Sequence, residues 1–179
     1  NTKIDLGYGD DVIELFDKFI SSTLYLGKGD DIIHLNADVH GSKIHCGDGN
    51  DFITTSYFSG LSKGSFYGGN GNDEIIGGIG SEIISGGQGD DVIYGGGGTN
   101  ELYGGKGFDH FHIDSFGEHT TIMDFESGYD TVHIGEASSI SAMAIGRDTH
   151  FFRTTFEGFD HFGTVLDTHL TLTGIGTWI

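Results

Sequence analysis

The stretch Gly68–His112 reads GGNGNDEII, GGIGSEIIS, GGQGDDVIY, GGGGTNELY, GGKGFDHFH, which is five consecutive copies of one nine-residue frame. Each copy has two glycines, a variable residue, a third glycine, a variable residue, an acidic or amide residue and a short apolar group. Glycine turns tightly at little steric cost, and turn carbonyls with one carboxylate offer only hard oxygen ligands. Because Ca²⁺ takes about 6–8 oxygens, one turn supplies too few. The single apolar position is buried only if copies stack, so the frame predicts stacked turns that share calcium ions.

The same frame occurs three times before Gly68, with wider spacing: LGYGDDVIE from Leu6, LGKGDDIIH from Leu26 and CGDGNDFIT from Cys46. The glycine at the second position of each copy recurs after steps of 20, 20 and 22 residues and then of nine, at Gly7, Gly27, Gly47, Gly69, Gly78, Gly87, Gly96 and Gly105. Two nines make 18, so an early copy spans about one full coil and a later copy half a coil. The predicted core is the apolar position of each strand: Ile4, Ile13, Leu24, Ile33, Ile44, Ile53, Phe66, Ile75, Ile84, Ile93, Leu102 and Phe111.

This spacing assigns the turns to two sides of the coil. Side A carries the turns of Gly7, Gly27, Gly47, Gly69, Gly87 and Gly105, and side B carries those of Gly78 and Gly96. The acidic position on side A is aspartate throughout: Asp11, Asp31, Asp51, Asp73, Asp91 and Asp109. On side B it is Glu82 and Asn100, and in the early coils longer segments (Glu14–Thr23, His34–Lys43, Thr54–Ser65) replace the side-B turn. We expect Ca²⁺ in the five side-A gaps and a weak or empty side-B gap, because Glu is a methylene longer and Asn is uncharged.

The period and its residues resemble the RTX (repeats-in-toxin) family, whose nine-residue repeat is a signature of calcium-binding parallel β-helices. The resemblance implies an all-β fold, a right-handed parallel β-roll (β-solenoid) with a β-rich C-terminal cap. It also implies that each ion is held by the two aspartates facing a gap and by backbone carbonyls of both turns. Those carbonyls belong to Gly7, Gly9, Leu26 and Lys28; Gly27, Gly29, Cys46 and Asp48; Gly47, Gly49, Gly68 and Asn70; Gly69, Gly71, Gly86 and Gln88; Gly87, Gly89, Gly104 and Lys106.

The glycine period ends at His112, so we expect a β-roll over 1–112 (coils with one glycine turn in 1–67, tandem nonapeptides in 68–112) and a capping region over 113–179. The segment Thr120–Gly135 resembles an element that follows the repeats in RTX proteins. There, Asp124 and Asp130 either hold one further Ca²⁺ or form turns in a hairpin. The alternation of residues predicts strands over Phe111–Ile113, Thr121–Phe125, Thr131–Ile134, His150–Arg153 and Leu170–Thr173. The final GTVLDTHLTLTGIGTWI resembles a type I secretion signal and fits a cap strand equally well.

Composition narrows the class of function. The chain has 33 glycines, no proline and a formal net charge of −19 over 179 residues, which argues against nucleic acid or an anionic membrane as partner and favours metal cations. A disordered acidic tail is the alternative, and it also describes the expected metal-free state. No apolar run is long enough to span a membrane. No zinc-protease, hydrolase, P-loop or EF-hand motif occurs, so we expect no active site in this chain, although a parent protein could be an enzyme.

We therefore expect a secreted, extracellular calcium-binding module that folds on binding Ca²⁺ and engages a type I secretion system. Since the chain starts at Asn1, we expect it to be taken from a larger bacterial protein. The alternative is an accessory module that contacts a polysaccharide or another surface. Aromatic residues that would present such a surface are Tyr8, Tyr25, Phe58, Tyr67, Tyr94 and Tyr103. The ten histidines show no metal-ligand spacing, and we expect exposed strand faces for them. We expect Cys46 to pack as a small residue of its turn and Trp178 to lie in the core of the capping region.

Overall fold

The computed structural model describes residues 2–55, 63–113, 119–135, 140–145, 148–155 and 158–166, all as strands, turns and loops. Its strands, in chain order, are β1 (Lys3–Tyr8), β2 (Val12–Leu15), β3 (Thr23–Lys28), β4 (Ile32–Leu35), β5 (Lys43–Asp48), β6 (Phe52–Thr55), β7 (Ser65–Asn70), β8 (Glu74–Ile76), β9 (Ile83–Gln88), β10 (Val92–Tyr94), β11 (Thr99–Lys106), β12 (His110–Ile113), β13 (His119–Ile122), β14 (Thr131–Ile134), β15 (Ile140–Ile145), β16 (Asp148–Thr155) and β17 (Gly158–Val165).

The strands form two sheets, and each coil of the chain contributes one strand to each. The first sheet has the order β1-β3-β5-β7-β9-β11-β13-β17-β16-β15, and the second has the order β14-β12-β10-β8-β6-β4-β2. From β1 to β14 every pairing is parallel, and equivalent residues of successive coils lie side by side. The all-β class and the parallel β-solenoid predicted from the repeat are confirmed, with about six turns.

The core is a narrow column of apolar side chains between the sheets. Phe66, Ile75, Ile84, Ile93, Leu102 and Phe111 are each 0% exposed, as are Ile33, Ile44 and Ile53, and Leu24 is 1% exposed. The first coil departs from the prediction, because Ile4 is 37% exposed and Ile13 is only half-buried. The reason is geometric: β1 and β2 are edge strands, so the first coil is covered by a neighbour on one side only.

The longer side-B segments of the early coils also stack on one another. The amide of Phe19 donates to the carbonyl of Asp38, and the Ser42 hydroxyl donates to the carbonyl of Phe19 at 2.5 Å. Phe19, Ala37 and Val39 are buried and enlarge the core of these coils. The extra residues of the 20-residue coils are therefore ordered parts of the solenoid.

Beyond residue 113 the coil continues and then changes character. β13 and β14 still pair in parallel with β11 and β12, whereas β15, β16 and β17 form an antiparallel meander whose last strand pairs in parallel with β13. The predicted strand Thr131–Ile134 is confirmed, and Thr121–Phe125 is observed two to three residues earlier, at His119–Ile122. The predicted strand Leu170–Thr173 lies outside the described residues. Across the described ranges, the structure has no helix of the length and apolarity that crossing a membrane requires.

Candidate metal centre

The six side-A aspartates form one column along the solenoid. Each sits in the turn that joins a strand of the first sheet to a strand of the second. The Oδ1 atom of one aspartate accepts the backbone N–H of the aspartate one coil earlier, at 2.8 Å for the first four pairs and 3.0 Å for Asp91 to Asp109. Five of the six are at most 3% exposed, and Asp11, in the first coil, is half-buried. Stacking of identical turns therefore brings the carboxylates together in register.

The second oxygen of these carboxylates has no partner. The Oδ2 atoms of Asp11, Asp31, Asp51, Asp73, Asp91 and Asp109 are buried and accept no hydrogen bond in the described structure. A buried ionised carboxylate is costly unless it is paired or coordinates a cation. A column of such oxygens fits a row of hard divalent cations.

The electrostatics of the column agree with this interpretation. Burial raises the pKa of Asp73 and of Asp91 to about 7, against the opposing effect of the backbone N–H that each accepts. The neighbouring carboxylates raise both values further. Burial likewise raises the pKa of Asp51 and Asp109 to about 6. Without a counter-ion, ionisation of these carboxyl groups is therefore disfavoured near neutral pH.

The glycine carbonyls of one turn face the next turn. A methyl group built on Gly27 would lie 2.1 Å from the carbonyl oxygen of Gly7, and one built on Gly87 would lie 2.2 Å from that of Gly69. The third glycine repeats the pattern, since a methyl on Gly89 would lie 2.1 Å from the carbonyl oxygen of Gly71. These glycines have φ between 99° and 146° in the six turns, a region that favours glycine.

Carbonyls of the following turn point back into the same gap. A methyl on Gly68 would lie 2.7 Å from the carbonyl oxygen of Gly86, and the carbonyl of Gln88 accepts the N–H of Gly71 at 2.7 Å. The corresponding backbone bond recurs at Lys28, Asp48, Asn70 and Lys106. The gap between the turns of Gly69 and Gly87 is thus bordered by two aspartates and by the carbonyls of Gly69, Gly71, Gly86 and Gln88.

The first position of the turn separates the early coils from the later ones. At Gly68, Gly86 and Gly104 a methyl group would lie 2.1–2.2 Å from the Oδ2 atom of the aspartate in the same turn. Leu26 and Cys46 take this position in the early coils, and both side chains are buried in the core. Neither residue has a positive φ; among the described non-glycine residues only Ser21 does. Burial also raises the pKa of the Cys46 thiol, as expected for a packed residue.

A second row of side chains was missed by the sequence analysis. Asp10 accepts the N–H of Asp30 through Oδ1 at 2.9 Å, and Asp30 accepts that of Asn50 at 2.7 Å. The row continues through Asn72 and Asp90 to the N–H of Phe108. These bonds run from a later coil to an earlier one, opposite in direction to those of the buried column. The available signal was the Asp or Asn that precedes the acidic residue in five of the six side-A turns.

Asp124 and Asp130 lie at the end of the side-A column. Asp130 accepts the N–H of Asp109 through Oδ1 at 3.1 Å, as each column aspartate does for the one before it. Asp124 accepts the N–H groups of Gly104 and Gly105 at 2.9 and 3.1 Å, and burial raises its pKa. The two strands that flank these residues belong to different sheets, so the segment between them is a coil turn and forms no hairpin.

The side-B gap has a different chemistry. Asn100 accepts the N–H of Glu82 through Oδ1 at 2.9 Å, which repeats the side-A bond. Its Nδ2 atom donates to the carbonyls of Gly95 and Gly97, each at 2.9 Å. An amide donor therefore engages carbonyls that on side A face a gap. Across all described residues, no group of three or more His, Cys, Asp or Glu side chains converges on one point.

A parallel solenoid with a column of acidic, glycine-rich turns defines a class of calcium-binding repeat protein. The family model of the RTX calcium-binding nonapeptide repeat matches four copies in this chain, over residues 21–38, 65–81 and 76–111. The matched repeats and the parallel solenoid fit an RTX β-roll module, and this repeat family is a structural calcium-binding repeat. A comparison with curated proteins finds no match. Phe58 and Trp178, singled out in the sequence, lie outside the described residues.

Proposed function

We propose that the five side-A gaps each bind one Ca²⁺ and that binding folds the module. The observation that carries this proposal is the column of buried Oδ2 atoms without partners. The carboxylates of both turns and the carbonyls set out above would hold each ion. Calcium would supply the positive charge that the buried column lacks, and the chain's own turns would position the oxygens.

The same groups make folding depend on the metal. Without it, six carboxylates in one column repel one another, and 33 glycines must be ordered at about 1–2 kcal/mol of backbone entropy per residue. Five Ca²⁺ would add ten positive charges against a net charge of −19. Because a preformed site rarely exists in an unfolded chain, binding free energy becomes folding free energy. Binding would be cooperative, since each interior aspartate borders two gaps.

The proposal extends to one further ion at the end of the column. Asp109, Asp124 and Asp130 are close enough for the charges of Asp124 and Asp130 to raise the pKa of Asp109. The Oδ2 atom of Asp109 is buried without a partner. We propose a sixth Ca²⁺ between the last glycine turn and the capping region, and these contacts are its support.

Calcium-dependent folding suits export. In a bacterial cytosol with little free Ca²⁺ the module would stay extended and pass through a type I secretion system, whose signal the residues from 163 onward resemble. Outside, millimolar Ca²⁺ lies in the range at which extracellular modules bind. The folded roll would then stabilise the larger secreted protein that carries it. Deleting residues 167–179, the part of that signal beyond β17, should block export by a type I apparatus and leave calcium-induced folding intact, because Val165 and the pairing of β17 with β13 are kept. Export without them would contradict this part.

Titration of the whole chain with Ca²⁺ tests the folding proposal. Far-ultraviolet circular dichroism and size-exclusion chromatography should show an expanded chain in EDTA and a compact β-structure in millimolar Ca²⁺, with a Hill coefficient above one. Mg²⁺ is the matched control ion, since it demands near-ideal octahedral geometry and keeps its waters. Complete β-structure in EDTA, or equal folding with Mg²⁺, would contradict the proposal.

A further inference from the structure

The outer face of the first sheet carries a ladder of stacked rings. Tyr25, His45 and Tyr67 occupy the same register position on β3, β5 and β7. Their ring centroids are 4.8 and 4.6 Å apart and the rings are within 8° of parallel. The Lys3 ammonium lies 4.6 Å from the Tyr25 ring centroid and covers the lower end of the ladder. The faces of these rings are therefore occupied by one another.

One rung of the ladder is missing. The register continues from Tyr67 to Ser85 on β9 and then to Tyr103 on β11. Since neighbouring strands are about 4.8 Å apart, Tyr67 and Tyr103 are separated by about 9.6 Å along the sheet. A single ring placed above Ser85 would stack on both tyrosines at the spacing that the rest of the ladder shows. We call this space the Ser85 slot.

Polar groups lie at the floor of the Ser85 slot and along its edge on β11, and the slot is open on one flank. The hydroxyl of Ser85 lies at its floor, and the Glu101 side chain hydrogen-bonds to Tyr103. Ile83, 40% exposed, flanks the slot toward the start of β9. On the other flank Gly87 has no side chain, so a longer ligand would leave the slot across the row of glycines.

We infer that the Ser85 slot binds a pyranose unit of an uncharged polysaccharide. A pyranose ring has apolar C–H faces that stack on aromatic rings, and its hydroxyl groups lie around the edge, where Ser85 and Glu101 stand. An aromatic side chain would fill the slot but would not form hydrogen bonds with Ser85 and Glu101. An anionic sugar would meet Glu101 and a net charge of −19, which repel it. This binding function is separate from calcium binding and needs only the folded solenoid.

Isothermal calorimetry on the whole chain in saturating Ca²⁺, with cellohexaose and maltohexaose as probes, tests the inference. The variant Ser85→Tyr supplies the missing rung, so it should keep the circular dichroism spectrum and abolish binding. Ser65→Tyr makes the same change on the same sheet face outside the slot and should bind as the parent does. Tyr67→Ala and Tyr103→Ala should weaken binding at least about tenfold, a loss of one ring–ligand stack, whereas Tyr25→Ala should not.

Several results would overturn the inference. They are the absence of heat and of ligand-detected NMR signals with both neutral oligosaccharides, tighter binding of an oligogalacturonate, or unchanged binding by Ser85→Tyr. Preferential binding of a tyrosine-containing peptide would assign the slot to a protein partner instead.

Discussion

Side A and side B of the solenoid share the same nine-residue frame, but the polar groups of their turns have different partners. On side A the acidic residue leaves a buried oxygen without a partner, and the turn carbonyls face the gap. On side B the Asn100 amide donates to two of its own turn's carbonyls. The glycines differ accordingly: Gly96 and Gly98 have φ of 72° and 75°, whereas the side-A glycines lie between 99° and 146°. The Asn100 turn therefore has an amide donor bonded to its own carbonyls, whereas each side-A turn has a buried carboxylate oxygen without a partner.

The largest effect is expected from making side A resemble side B. In the variant Asp73→Asn with Asp91→Asn, two interior column carboxylates lose their charge and their Oδ2 acceptors. The Ca²⁺ concentration for half-folding, followed by circular dichroism, should rise at least about tenfold because ligand charge sets affinity in calcium sites.

The matched control removes the same charge from the outer row. In Asp30→Asn with Asp90→Asn the Oδ1 acceptors are kept, and Asn already stands at positions 50 and 72 of that row. This control should shift the folding midpoint by less than about twofold, as solvent-exposed charges usually do. Equal shifts in both double variants would show that net charge, and not the buried column, governs folding.

A smaller loss is expected from a single glycine. In Gly87→Ala the new methyl would lie 2.2 Å from the carbonyl oxygen of Gly69, at φ 126°. The cost should be about 3 kcal/mol or more in urea unfolding with saturating Ca²⁺. On side B, Gly95→Ala meets only side-chain atoms at 3.4–3.5 Å and has no positive φ, so it should cost within about 1 kcal/mol. Gly95 is the first residue of its turn and Gly87 the second; the side-B counterpart of Gly87 is Gly96, where a methyl would also lie 2.2 Å from a carbonyl oxygen, that of Gly78. A greater loss for Gly95→Ala than for Gly87→Ala would therefore refute the cost assigned to the close backbone approach.

The pH dependence should also come from side A. Asp51, Asp73, Asp91 and Asp109 have folded-state pKa values of about 6 to 7, raised mainly by burial, against roughly 3.9 in an unfolded chain. A raised carboxyl pKa favours the folded state at low pH, and this contribution is lost as pH rises from about 4 through 7. In EDTA the chain should therefore gain β-structure on acidification from pH 7.5 toward 4.5.

Calcium reverses that dependence, because the ion binds the deprotonated column. Binding near pH 6 should release protons, measured as a buffer-dependent heat in calorimetry, and the apparent affinity should rise between pH 5 and 7.5. The Asp73→Asn, Asp91→Asn variant should release fewer protons. Affinity that falls over this range, or a heat that is independent of the buffer, would place the titrating groups elsewhere.

The period of the sequence was enough to predict the coil, its register and its core. Steps of 20, 20 and 22 residues between glycine markers recur as the strand register Leu24, Ile44 and Phe66, because identical turns stack only in phase. Ile4 was wrongly placed in the core, since a repeat does not tell which of its copies lies at an open end.

Other features depend on the direction of hydrogen bonds, which spacing does not encode. The outer row of Asp10, Asp30 and Asn50 was overlooked because these residues appear only as variable positions beside the aspartates. The place of Asp130 above Asp109 was not predicted, since the chain between them leaves the nine-residue period. The antiparallel meander of β15 to β17 follows a stretch without period, where alternation predicts strands but not their partners.

The smallest and most specific effect is expected from making side B resemble side A. Asn100→Asp keeps the Oδ1 acceptor for the N–H of Glu82, removes the amide that donates to Gly95 and Gly97, and adds an oxygen in its place. In EDTA the change should destabilise any residual structure, since the buried carbonyl of Gly95 and the half-buried carbonyl of Gly97 lose their donor, at about 1–3 kcal/mol for the buried group. With Ca²⁺ the same carbonyls become available, so equilibrium dialysis should find one more bound ion per chain, weaker than the others because Glu82 and the φ of Gly96 remain those of side B. Asn100→Leu, which removes both the amide donor and the Oδ1 acceptor without adding a ligand, should lose stability in both conditions and gain no ion. If Asn100→Asp bound no additional Ca²⁺, the difference between the sides would lie in the glycine backbone alone, and the acidic residue would not be what selects a turn for calcium.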